Sequence, residues 1–301
     1  MSVARDSIRR RLAELNDLAL AVHASRPDLQ QAFPDPQSDD YWIWVNHFGV
    51  LEVPAIRALV APLPPERLRT LVGGASENVF LDGGASAFRL INRLTADADR
   101  RLTELSSVLD FGCGCGRVLR YFLRHADRID CAGTDVDANM IEWDRGNFPF
   151  GEFVVQRPTP PVAIDDGRFD LIYAISIFSH LTEADHLAWL RELRRLLRPN
   201  GLLIATVHGR HALRTASTEA QKLAVLQVSR ADLQTAANDL DDRHYAFIKQ
   251  PRSHLDANHY GITFLDDAYV TRHWSELFDV VSYAEAALDA WQDAVVLRRA
   301  S

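Results

Sequence analysis

Apolar residues return every three or four positions near the start of the chain, at Ile8, Leu12, Leu15, Leu18 and Val22. That period is helical. Pro27, Pro34 and Pro36 interrupt it, and an aromatic-rich segment, YWIWVNHFGVLEVPAIRALV, follows. Pro62, Pro64 and Pro65 punctuate again before Phe88, Ile91, Leu94 and Leu102 resume the pattern. Residues 1–104 therefore read as a helical N-terminal cap.

From 105 to 208 the pattern alternates. Short apolar runs at 106–111, 129–134, 153–156, 169–175 and 202–207 predict strands. Helical spacing at 117–126 and 138–147, and again through Leu187, Leu190, Leu193 and Leu197, predicts the elements between them. Thr182 followed by Asp185 has the form of a capping box, and Pro199-Asn200-Gly201 ends the helix that it starts. Strands separated by helices argue for a parallel α/β sheet. Residues 209–262 break the alternation, helical at first and then polar and rich in histidine, and read as an insertion that caps a substrate. A helix at 266–277 and strands at 278–283 and 293–298 complete a domain over 105–301.

Composition narrows the partners. The chain has 301 residues, a formal net charge of −8 and no basic block, so nucleic acid is not an expected partner. No run approaches the roughly 18 apolar residues that a membrane span needs, so no membrane partner is expected. The N-terminus lacks the apolar stretch of a secretory signal. Three cysteines make no disulfide framework, and a cytoplasmic setting is the expectation. A monomer or a homodimer is expected.

The candidate chemistry begins at Val-Leu-Asp-Phe-Gly-Cys-Gly-Cys-Gly, residues 108–116, where a strand gives way to a helix. Gly112, Gly114 and Gly116 let a ligand approach the backbone, and the following helix start offers free N–H groups. The spacing is G-x-G-x-G, whereas the dinucleotide fingerprint is G-x-G-x-x-G. No Gly-Lys-Ser/Thr is present, which excludes a nucleoside-triphosphate loop. Asp135 stands at the end of the second strand, where a carboxylate can accept from both ribose hydroxyls of an adenosine. Asp137 reads as the cap of the next helix.

VLDFGCGCGRVLRYF, GTDVDANMIEW, FDLIYAISIFSHL and LRELRRLLRPNGLLIAT, in that order, resemble the motifs of the class I S-adenosylmethionine-dependent methyltransferases. The resemblance covers residues 105–208 well and the final strands loosely. It implies a Rossmann-like seven-stranded sheet, its last strand antiparallel and set beside the sixth. It implies S-adenosylmethionine as cofactor. Asp110, Gly112 and Gly114 would line its methionine part, Gly116 would shape the loop, Asp135 would hold the ribose, and Val136 and Met140 would pack on the adenine. Family members often carry an acidic residue after the third strand; here Gln156 stands there and would offer an amide oxygen.

Methyl transfer is an in-line displacement that needs alignment and, for some acceptors, removal of a proton. His180, after the fourth strand, is a candidate base, or it orders its loop. His254, Asp256, His259 and Tyr260 cluster in SHLDANHYG, and His208 lies just past the fifth strand. His254 and His259 are further candidates for proton transfer; His208, Asp256 and Tyr260 are candidates for substrate contact. These histidines also read as surface-loop residues, and no metal is expected. Trp44, with Tyr41, Trp42 and Phe48, is either a packing stripe or an aromatic wall over the substrate. The main reading is methylation of a small-molecule metabolite at oxygen or nitrogen. The alternatives are non-methylating chemistry with the same cofactor, such as a cyclisation, a non-catalytic cofactor-binding protein, or methylation of a protein.

Overall fold

The computed structural model describes residues 2–74, 76–250 and 258–301, with side chains described from residue 6 onward. Two compact units divide the chain: Met1–Arg89 with Ser106–Val155, and Leu90–Leu105 with Gln156–Ser301. The N-terminal helical stretch thus contributes to both.

In the first unit the helix Ser2–Ser25 turns Leu15 and Ala19 inward against Tyr41, Trp44, Val45 and Ile56 of the short helices Asp39–Asn46 and Pro54–Leu59. Ser38 caps the helix Asp39–Asn46, accepting from Tyr41 N–H at 3.2 Å. The same unit holds β1 (Ser107–Phe111), β2 (Asp130–Asp135) and β3 (Gly151–Val155), paired in parallel.

The second unit holds β4 (Phe169–Ala174) and β5 (Leu197–Val207), every residue of β4 being buried. A continuous apolar run of this kind suits a parallel strand covered on both faces. The helix Glu183–Leu196 opens at Thr182, whose hydroxyl accepts from Asp185 N–H at 3.3 Å and donates to Asp185 Oδ2 at 2.6 Å. The insertion forms the helices Arg210–Thr218, Ala220–Leu226 and Arg230–Arg243, followed by β6 (Tyr245–Lys249) and β7 (Gly261–Leu265). Leu213, Leu233, Leu240, Phe264 and Trp291 belong to one core cluster there. The chain ends with β8 (Asp279–Leu288) and β9 (Gln292–Arg298).

The main sheet runs β3-β2-β1-β4-β5-β9-β8. β9 is antiparallel to both of its neighbours, so the last strand lies beside the sixth strand of the sheet, as the sequence resemblance implies.

Five local expectations need correction. Residues 119–125 form a 3-10 helix, a difference that apolar spacing does not encode, because the buried Leu119, Phe122 and Leu123 suit either period. The third strand starts earlier, at Gly151, and ends before Gln156. Pro199-Asn200-Gly201 is an irregularity inside β5: the register jumps from Phe169 opposite Leu197 to Leu171 opposite Leu202, with Asn200 at φ 62°. The polar end of the insertion contains β6 and β7, an antiparallel pair whose partners are brought together across a long connection. Residues 266–277 also differ, forming the short helix Asp267–Tyr269 and then a π turn, Val270–Trp274, in which Tyr269, Val270 and Trp274 are buried.

Candidate functional site

In the first unit β1 delivers the chain into the glycine loop. Gly112 and Cys113 N–H both donate to Thr134 O, at 2.8 and 2.9 Å, tying the loop to the end of β2. Gly114 and Gly116 have φ of 56° and 73°, a region that suits glycine. Space makes the same demand. A Cβ on Gly114 would stand 2.6 Å from Val72 Cγ1, and one on Gly116 would stand 2.4 Å from Phe148 Cζ.

Asp135 closes the loop. Its Oδ2 accepts from Gly114 N–H at 2.8 Å and its Oδ1 from Asp137 N–H at 2.9 Å. Burial raises its pKa against the pull of the backbone donors of Asp137, Gly114 and Val136. A carboxylate has about four acceptor positions, so acceptor capacity remains for a ribose hydroxyl. The cradle and its free acceptor positions fit the adenosylmethionine that the sequence resemblance implies. Asp137 caps the next helix as expected, accepting from Asn139 N–H at 2.8 Å.

Asp110 is buried on β1 opposite Gly133, and Val136 is half-buried just past Asp135. Met140 is buried in the helix Ala138–Asn147, its sulfur 3.6 Å from the Gly114 Cβ position. Sequence reasoning missed Asp144, one turn beyond Met140 on the same face. It is fully buried and accepts from the Cys113 thiol at 3.4 Å, while its Oδ1 finds no partner among the described residues. Burial is the largest cause that pushes its pKa up to about 9, and Asp110 and Asp135 add to the rise. The four-residue spacing from Met140 is the signal that could have found it.

Val72, Leu68 and Phe80 also lie over this loop, in one cluster with Cys115 and Met140. Trp44 is 8% exposed and stacks on Tyr41, ring centroids 5.6 Å apart, in the packing arrangement that was the alternative to an aromatic wall. Leu15, Val45 and Ile56 share that N-terminal core cluster.

The second unit gathers the histidines. His180 stacks on Tyr260, with ring centroids 4.6 Å apart, and its Nδ1 lies 2.8 Å from Gly261 O. Its ring meets His208 edge-on at 6.0 Å. His208 is buried beside Phe264 and Trp291, and its Nδ1 has no hydrogen-bond partner among the described residues. Burial lowers the pKa of both, to about 4 for His180 and about 3 for His208, so both imidazoles are neutral at pH 7. His259 joins neither ring. Its Nδ1 sits 3.1 Å from Asp185 Oδ2 and 3.2 Å from Oδ1, across 74 residues of sequence. That carboxylate was not foreseen as anything but a cap. Gln156 follows β3 directly, and its buried Oε1 has no hydrogen-bond partner among the described residues. His254 and Asp256 lie outside the described residues.

Near the ends of β4 and β9, Ser176 holds φ 60°. Its N–H donates to Thr206 Oγ1 at 2.7 Å, and its hydroxyl meets the Gln292 amide at 2.9 and 3.2 Å. A non-glycine residue in this region carries strain that surrounding bonds must hold.

Residues 109–203 match the family model described as a methyltransferase domain. The chain is 27% identical over 109 residues to the probable methyltransferase ltbC of Aspergillus luteorubrus, covering 32% of this chain and 38% of that one. It is 28% identical over 136 residues to the demethylmenaquinone methyltransferase of Thermotoga maritima, covering 42% of this chain and 58% of that one. This chain therefore spans well under two thirds of either relative. The solved CurJ carbon methyltransferase shares the fold at 16% identity and a TM-score of 0.50, covering 95% of this chain and 71% of that one. The strand order and the glycine loop resemble those of the class I S-adenosylmethionine-dependent methyltransferases, the class whose cofactor is S-adenosylmethionine.

Proposed function

We propose that this chain is an enzyme that transfers the methyl group of S-adenosylmethionine to an oxygen or nitrogen of a small-molecule metabolite. The observation that carries the reading is the Asp135 carboxylate anchored to Gly114 N–H, with acceptor capacity left for a ribose. When bound, the cofactor supplies an electrophilic methyl on a sulfonium. The glycine loop lines its methionine part, Val136 and Met140 pack on its adenine, and Gln156 Oε1 accepts from the adenine amino group.

His259 is the favoured base. Asp185 holds its Nδ1–H and so leaves Nε2 as the proton acceptor, a division of labour between carboxylate and imidazole that positioned bases use. His180 is a weaker base, with its pKa pushed down to about 4. We assign His180, His208 and Tyr260 to contact with the acceptor, and residues 1–104 and 209–262 to its enclosure. The acidic net charge of −8 supports a metabolite over a polyanion. Among the described residues no helix is long and apolar enough to cross a membrane. We place the reaction in the cytoplasm, with the chain acting as a monomer or a homodimer.

Calorimetry with S-adenosylhomocysteine tests the cofactor site: wild type binds in the micromolar range, and Asp135→Ala weakens binding at least about tenfold, the equivalent of one charge-assisted bond pair. An absent affinity in the wild type overturns the reading. Methyl-labelled cofactor and a source-cell extract test the acceptor. Label in the low-molecular-weight fraction supports the proposal; label in protein, in RNA or only in methylthioadenosine overturns it.

A further inference from the structure

Arg120 is a buried cation that no carboxylate among the described residues pairs with. It sits just beyond the glycine loop, its N–H donating to Gly116 O at 3.2 Å. The side chain is 1% exposed. Nη2 donates to Ala61 O at 3.0 Å, whereas the buried Nε and Nη1 have no hydrogen-bond partner among the described residues. The Phe80 ring lies 6.0 Å from its Cζ.

Among the described residues, the groups that act on the charge of Arg120 are the Tyr121 hydroxyl and the Cys115 thiol. Both stay neutral at pH 7, because burial raises both pKa values, that of Cys115 to about 12. Burial lowers the pKa of Arg120 itself. His47, also buried, feels the Arg120 charge and holds its Nε2 3.5 Å from Asp82, a carboxylate on the exposed side of the helix Glu77–Asp97. A buried guanidinium with empty donors is costly unless something accepts from them.

We infer that Arg120 binds a carboxylate supplied by a ligand, and its attachment to the turn that closes the glycine loop favours the amino-acid end of the methyl donor as the source. This rests on the reading of that loop as the cofactor site. The other source of the same chemistry is an acid group on the methyl acceptor. Arginine suits the task because its planar donors match a carboxylate.

Two ligands that differ in the amino-acid end separate the outcomes. S-adenosylhomocysteine carries that carboxylate and methylthioadenosine lacks it. Arg120→Met should weaken S-adenosylhomocysteine by about 10- to 100-fold in calorimetry and leave methylthioadenosine unchanged. Arg120→Lys, which keeps the charge without the planar fork, should fall between. The Met variant should melt no lower than wild type, since it removes an unneutralised buried charge; should it fail to fold, the Lys variant carries the test. The second arm uses acetate as the carboxylate probe, against chloride at equal ionic strength. Acetate that stabilises the S-adenosylhomocysteine-loaded wild type, but not the loaded Arg120→Met, assigns the carboxylate to the acceptor. Equal S-adenosylhomocysteine affinities together with no acetate effect overturn the inference. A wild type that binds no S-adenosylhomocysteine overturns the loop reading instead, and acetate on the free protein then still tests Arg120.

Discussion

Asp144 offers a quantitative test of how the glycine loop is built. It lies beneath Cys113 with one oxygen unpartnered among the described residues, and burial pushes its pKa from the ordinary 3.8 up to about 9. A carboxyl whose folded pKa is raised keeps its proton in the native state while the unfolded chain loses it. Its contribution to stability is fully present below about pH 4, falls as pH rises from there toward 9, and levels off above. The slope across that window is about 1.4 kcal/mol per pH unit. Between pH 5.5 and 7.5 this single group therefore removes about 2.7 kcal/mol of stability. Asp144→Asn deletes the titration and retains the shape. The assay is urea unfolding of both proteins at the two pH values, read as the difference of differences. The buried histidines, whose pKa values are lowered, slope the opposite way below about pH 6.5, but they cancel in that comparison. Parallel pH profiles for the two proteins would refute a protonated Asp144.

Gly116→Ala should destabilise the fold by about 2–4 kcal/mol, since the new Cβ meets Phe148 at 2.4 Å and φ is 73°; a denaturation midpoint equal to wild type would contradict this. Trp44→Ala should cost about 3–5 kcal/mol of stability and leave S-adenosylhomocysteine affinity within a factor of two or so, as expected of a core residue; calorimetry showing a selective binding loss would restore its ligand role. Thr182→Ala removes the cap of Glu183–Leu196 and a 2.6 Å bond to Asp185, with about 1 kcal/mol lost by thermal melting.

Much of the architecture was legible in sequence because the signals are local. Strand β1, the glycine triplet and Asp135 occupy one short stretch, and the caps at Asp137 and Thr182 act over two or three residues. The succession of strands along the chain followed from the alternation of periods, and the place of the last strand from the resemblance that the motifs carried. The 3-10 character of 119–125 escaped because burial spacing suits both helix types. The β6 and β7 pair escaped because Tyr245 meets Leu265 only after the chain has returned.

The site divides along the same line. The sequence by itself determined that a strand opens into a glycine loop and that a carboxylate stands at the next strand end, since φ preference and short-range hydrogen bonding dictate both. Only the tertiary structure decided which side chains would be buried and with whom. It stacked Trp44 into the N-terminal core, brought Asp185 to His259 across 74 residues, and closed Arg120 off from water with no carboxylate beside it among the described residues. Burial sets the charge state of a polar group, and burial depends on distant segments of the chain packing together.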